Sequence, residues 1–183
     1  MISDGLASSA PATWRLYLWA AKVTPAGQSV LMEGKEDVDM DILFARPEKV
    51  ALKTEEVTRT SGCGLSATGQ QGATKTSQTA LTAGLAGGGC TAVLYPRLKT
   101  QKTATFLSLA GGKAVKIVSA AGTDFVFLND APFSFKEGDV VFDGTAGAAM
   151  LRGTGVVLSL AGPGSISAGG HELKADKPVS RRW

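Results

Sequence analysis

Of the residues able to do chemistry, the rarest is histidine: His171, in GGHEL, is the chain's single imidazole. A catalytic triad needs a histidine within reach of a nucleophile and an orienting acid. The two flanking glycines instead place His171 on a hairpin flank, where a turn-exposed side chain is expected. Zinc takes three or four ligands, and one histidine with the well-separated Cys63 and Cys90 fits no metal spacing. A Cys63–Cys90 disulfide and two unpaired thiols are equally compatible with the sequence. A bridge would close a loop of moderate length, worth roughly 3 kcal/mol.

Acidic clusters come next. Asp37, Asp39, Asp41 and Glu48 fall at positions one, three, five and twelve of a calcium loop. The sixth position is Ile42, where glycine is needed for the sharp turn, and the alternation through Phe44 demands a strand. A solvated strand face is therefore expected for the aspartates. Glu55 with Glu56, and Asp139 with Asp143, are the carboxylate pairs open to glycosidase-type chemistry, which depends on their separation in space. Glycine-rich runs such as GTAGAAMLRG have no helix pattern behind them, so no phosphate cradle is predicted. No metal and no cofactor is expected. The remaining candidates are Arg15, Tyr17 and Trp19, which alternate in WRLYLWA. Exposed, they would form a face for stacking on sugar rings; covered, they would fill a second layer of core or a domain interface. Bulk on both faces of the strand favours coverage on both sides.

The elements that must position these groups are strands. In WRLYLWA, Trp14, Leu16 and Leu18 share one face; in EDVDMDILFA, Val38, Met40, Ile42 and Phe44 do. Further strands are predicted over residues 28–33, 49–54, 77–83, 90–95, 103–109, 113–119, 124–128, 139–142, 148–152, 156–160, 165–168 and 172–174, separated by turn signals such as AGGK, KEGD and AGPG. Residues 74–85 carry the best helical spacing, opposed by Gly84 and the glycines at 87–89. Residues 58–76, polar and unpatterned, read as a long mobile surface loop. In DVVFDGTAGAAMLRGTGVVLSLAGPG the glycines fall where alternation breaks, as hairpin corners. The fold class is all-β: an antiparallel β-sandwich of two sheets with many short hairpin-connected strands, occupying residues 1–183 as a single domain.

Composition agrees. Hydrophobic residues make up 44% of the 183, enough for a sizeable core. A net charge of +3, dispersed along the chain, does not call for nucleic acid. No apolar run is long enough for a helical membrane span. The start, MISDGLASSAPATW, shows no signal-peptide pattern and enters a strand abruptly, as expected of a piece of a longer polypeptide.

Several stretches taken together carry a resemblance. ISDGLASSAPATWRLYLW resembles the segment opening the β-sandwich region of heparinase II/III-like polysaccharide lyases. TALTAGLAGGGCTAVLYPR is similar to the middle of that region, FVFLNDAPFSFKEGD to its connecting piece, and GDVVFDGTAGAAMLRGTGVVLSLAGPGSISAGGHEL to its closing hairpins. The resemblance spans nearly the whole chain through motifs of low specificity. It implies a C-terminal region preceded by a helical toroid that holds most of the catalytic residues, in a periplasmic or extracellular enzyme. Where that family's strands often carry histidines, this sequence has Trp19 and Ala80, so neither a metal set nor a catalytic residue carries over. The function implied is a non-catalytic module that supports a missing N-terminal catalytic domain and lines a polysaccharide or oligosaccharide cleft. A free-standing carbohydrate-binding or surface adhesion module is the alternative; a small enzyme using carboxylates alone is the third reading.

Overall fold

The structure, a computed structural model, describes residues 1–4, 10–65, 71–85, 89–153 and 155–183, with side chains described outside 3–4, 59–65 and 71–75. Its strands are β1 (Ile2–Asp4), β2 (Ala12–Leu18), β3 (Ala20–Ala26), β4 (Ser29–Gly34), β5 (Val38–Arg46), β6 (Ala51–Leu65), β7 (Gln71–Leu85) and β8 (Cys90–Leu98). The second half adds β9 (Thr105–Leu109), β10 (Ala114–Ser119), β11 (Gly122–Glu137), β12 (Val140–Arg152), β13 (Gly155–Leu160), β14 (Gly164–Ala168), β15 (His171–Ala175) and β16 (Val179–Arg182). A 3-10 turn at Ala110–Gly112 joins β9 to β10. The chain is thus an all-β antiparallel sandwich, as its alternation requires.

Three sheets form the layers. The central one runs β1-β8-β5-β4-β3, the second β2-β7-β6, and the third is the meander β9-β10-β11-β12 extended by β14-β15 and by β13-β16. Alternation decides which residues fill each interface. Ile42 and Phe44 of β5 turn toward β2 and β7, where they meet Leu18, Leu81 and Ala83, with Trp14 edge-on to Phe44 at 5.4 Å. The intervening Leu43 and Ala45 turn the other way, toward Val115, Ile117 and Phe106 of the meander. The central sheet is therefore apolar on both faces, which is why β5 ends in the unbroken run ILFA rather than in strict alternation.

A third core closes the meander on itself. The β11–β12 hairpin changes register between Leu128 and Phe133, and its far half folds back so that Phe133, Phe135 and Phe142 cover Phe125 and Phe127. Phe142 lies flat on Phe127, centroids 4.3 Å apart. This fold-back changes the role expected of the glycines. Gly147 sits mid-strand between Phe127 and Leu160, and a Cβ there would lie 2.9 Å from the Phe142 ring and 2.8 Å from the Ser159 carbonyl. Gly144 and Gly164 pair across strands at the bend, with φ of 153° and 157°. Gly27, Gly138, Gly153, Gly169 and Gly170 do lie in turns between strands, the corners that the alternation suggests.

Two sequence expectations fail. Over its described residues, 58–65 and 71–76, the polar stretch is not an irregular loop: β6 and β7 run there as a paired ribbon, with Thr58 opposite Ser77 and Leu65 opposite Gln71. Threonine-rich segments satisfy a pleated ladder without an apolar stripe, so hydrophobic periodicity misses them. Nor do Asp39 and Asp41 line a wet face, although Asp37, just before β5, is exposed. Asp39, Asp41 and Arg97 are 7%, 5% and 8% exposed. Register places Arg97 opposite Asp39, so one guanidinium serves both acids: Nη1 to Asp39 at 3.1 Å, Nε to Asp41 at 3.1 and 3.2 Å. Gly34 N–H donates to Asp39 and Ala104 N–H to Asp41. The Asp39 and Asp41 part of the calcium-like spacing is a strand period, and both acids pair with one arginine more than fifty residues away in sequence.

Candidate functional site

The outward face of the sheet β2-β7-β6 gathers the sequence candidates. Residues directly opposite in an antiparallel pair share a face. Arg15 is opposite Thr82, which is opposite Lys53; Tyr17 is opposite Ala80, which is opposite Glu55. Trp14, Leu16 and Leu18 take the inner face and bury against the central sheet. Among the described residues no second core layer covers the outer side of β2: Tyr17 is 38% and Trp19 45% exposed. Large residues on the outer face here make a surface rather than a second core layer.

Arg15 organises that surface. It reaches diagonally across the sheet to Glu55, and its guanidinium lies 5.9 Å from the Tyr17 ring centroid. The hydrogen bond to Tyr17 and the charge of Glu55 hold the guanidinium above its already high ordinary pKa, so it is a permanent cation. Trp19 sits in the β2–β3 link with the Lys35 ammonium 4.0 Å from its ring centroid, while that ammonium also donates to the Ser77 carbonyl. Two aromatics thus each carry a cation. Gln78, on the outward face of β7 with Ala80, buries its Oε1 without a hydrogen-bond partner among the described residues. Beside Glu55 opens a polar hollow of about 270 Å³ lined by Lys22, Thr54, Glu55, Glu56 and Thr79. Lys35, Gln78 and Lys53 were not singled out from sequence, because strand register brings Gln78 and Lys53 to this face and the β4–β5 turn brings Lys35.

The other candidates disperse. Glu55 and Glu56, adjacent on β6, project to opposite faces of the strand. Asp139 accepts from Gly169 N–H and Asp143 from the Ser134 hydroxyl. His171 is half-buried rather than turn-exposed, stacked on the Trp183 ring at 4.8 Å. Trp183 is held there by two backbone hydrogen bonds to Val156. Cys90 is buried at the start of β8; the proposed bridge to Cys63 falls on a side chain outside the described residues. Among the described residues no group of three or more histidine, cysteine or carboxylate side chains is placed to hold a metal, and no helix is long and apolar enough to cross a membrane.

Fold and face together define a β-sandwich that presents a charged, aromatic sheet surface. Comparison with protein families, with curated proteins and with solved structures returns no match for the chain.

Proposed function

We propose that the chain is a non-catalytic β-sandwich module of a lyase-like, polysaccharide-degrading enzyme of the periplasm or cell exterior. Its β2-β7-β6 face supports a catalytic domain and lines the glycan cleft. One observation carries this reading: Arg15, Tyr17 and Trp19 point away from the core, the arginine fixed by Glu55 and the rings exposed. Flat aromatic faces suit the apolar C–H faces of pyranose rings, and a fixed cation suits the polar groups between them. The free-standing carbohydrate-binding or adhesion alternative uses the same face, with the polar hollow at the edge between β3 and β6, on the Glu56 side, as a subsite of its own.

Affinity electrophoresis through gels cast with anionic or neutral polysaccharides tests the reading. The wild-type chain is retarded by at least one polysaccharide, and Tyr17→Ala and Trp19→Ala each weaken binding by roughly two- to tenfold, the worth of one stacking contact. Full retention of binding in both variants, or no retardation in any gel, overturns the cleft-lining role. Strong retardation of the isolated chain favours the free-standing module.

A further inference from the structure

We infer that the open edge of β9 is a receptor for one extended segment of a partner polypeptide, added as a strand. β9 pairs with β10 on one side, and among the described residues no strand pairs with the other. Edge strands are normally protected by charge, proline or a bulge. The other edges obey this: Arg15 on β2, Lys22 and Pro25 on β3, Lys53 and Glu55 on β6, Glu172 and Lys174 on β15, Arg181 and Arg182 on β16, and Asp4 in the sequence of β1. β9, Thr105–Leu109, reads TFLSL. It has no charge and no proline, its ladder with β10 is continuous, and Leu107 is 52% exposed.

The neighbouring layer supplies a floor. The Ser108 hydroxyl donates to the Ala45 carbonyl, so β9 lies over β5. In the central sheet β4 and β3 follow β5, and no meander strand continues above them. That step leaves a groove of about 350 Å³ along β9, walled by Phe106 and Thr105 and floored by Ala26, Ser29 and Leu31. Asp41 also borders it, but its charge is matched by Arg97 and Ala104 N–H. An incoming strand would complete the missing row, bonding to the β9 backbone and setting alternate apolar side chains on Leu31 and Phe106.

The same step decides what fits. Antiparallel pairing of β9 with a second copy's β9 places the two-fold axis perpendicular to the sheet. The β4–β3 overhang of each copy would then enter space held by the other's central sheet. A lone strand meets no such obstacle. Its central residues are uncharged and alternately apolar, and Lys102, exposed just before β9, suits an acidic residue at its end.

The probe is a fluorescein-labelled heptapeptide with an alternating valine–threonine core and a glutamate at each end, followed by fluorescence anisotropy. It binds the wild-type chain, and hydrogen exchange slows at residues 105–109. The same peptide with alternate backbone nitrogens methylated binds at least roughly tenfold more weakly, since it cannot complete the ladder. Leu107→Lys, which adds an edge charge at an exposed site, and Ala26→Trp, which fills the groove, weaken binding by a similar factor with unchanged thermal midpoints. Absence of binding, equal binding of the methylated peptide, or protection elsewhere than 105–109 overturns the proposal. So does a dimer by light scattering that Leu107→Lys dissolves, which would make a second copy the occupant.

Discussion

Replacing Arg97 with methionine is the sharpest test of how the central sheet is held together. The change keeps most of the side-chain volume but strands two carboxylates, Asp39 and Asp41, which are only 7% and 5% exposed. Each keeps one backbone donor, Gly34 N–H at 3.1 Å and Ala104 N–H at 3.2 Å; both lose the guanidinium. Breaking one buried pair by removing a single partner costs about 3–5 kcal/mol, and here one cation serves two acids, so at least about 4 kcal/mol is expected. For a chain of this length that lowers the melting temperature by roughly 8–16 °C. Urea unfolding followed by tryptophan fluorescence, with calorimetry alongside, measures both. The control is Arg97→Met combined with Asp39→Asn and Asp41→Asn. It keeps acceptors for Gly34 and Ala104 and strands no charge, so it recovers at least about 2 kcal/mol of the loss. A single variant within about 1 kcal/mol of wild type, or a triple variant no more stable than the single, refutes the reasoning, since either result would mean that uncompensated charge is not what the arginine prevents.

Two further outcomes follow from the meander. Burial raises the Asp124 carboxyl pKa above its usual range, an effect Arg152 only partly offsets from 2.6 Å, and Asp124 Oδ1 has no hydrogen-bond partner among the described residues. The folded value exceeds the unfolded one, so this group's stabilisation is complete below the unfolded value and fades as pH rises through the folded one. The stability of Asp124→Asn relative to wild type therefore improves on going from acid to neutral pH; urea curves across that range that show a constant or opposite difference contradict this. Gly147→Ala places a Cβ 2.8 Å from a backbone carbonyl that cannot move aside and costs about 1–3 kcal/mol. Gly153→Ala meets nothing within 4 Å and stays within about 0.5 kcal/mol of wild type; equal melting points for the two would show that the Phe142 fold-back does not depend on the missing side chain.

The layers were legible because alternation is local. The pattern around Ile42 and Phe44 identifies a core face without knowledge of its partner, and most predicted strands stand within a few residues of their expected limits. What escaped depends on pairing. β3 carries lysine, threonine and proline in AAKVTPA and exposes most of its length, so no periodicity marks it. The continuation of β11 beyond Leu128 was hidden because the register shift there breaks the period just where the hairpin folds back. The aspartates were misread because charge alone says polar. Only the register of β5 on β8, which sets Arg97 opposite Asp39, turns two costly buried acids into a cross-strand lock.

The candidate face shows the same division between what a strand says and what a sheet says. Arg15, Tyr17 and Trp19 stand out in sequence because a second set of large residues opposes Trp14, Leu16 and Leu18, but period-two patterning is symmetric and cannot say which set meets the core. Sheet order decides it: β2 packs its tryptophan and leucines on Phe44 and Leu81, and no further layer lies outside it among the described residues. The cross-strand neighbours then convert bulk into chemistry. Glu55 gives Arg15 a fixed direction, and Lys35, from the β4–β5 turn, brings a second cation to Trp19. Paired cations over exposed rings are costly to desolvate and of little use to a domain core. Their placement on an outward sheet face is what the proposed role of that face, to meet a polar, hydroxyl-rich partner, would need.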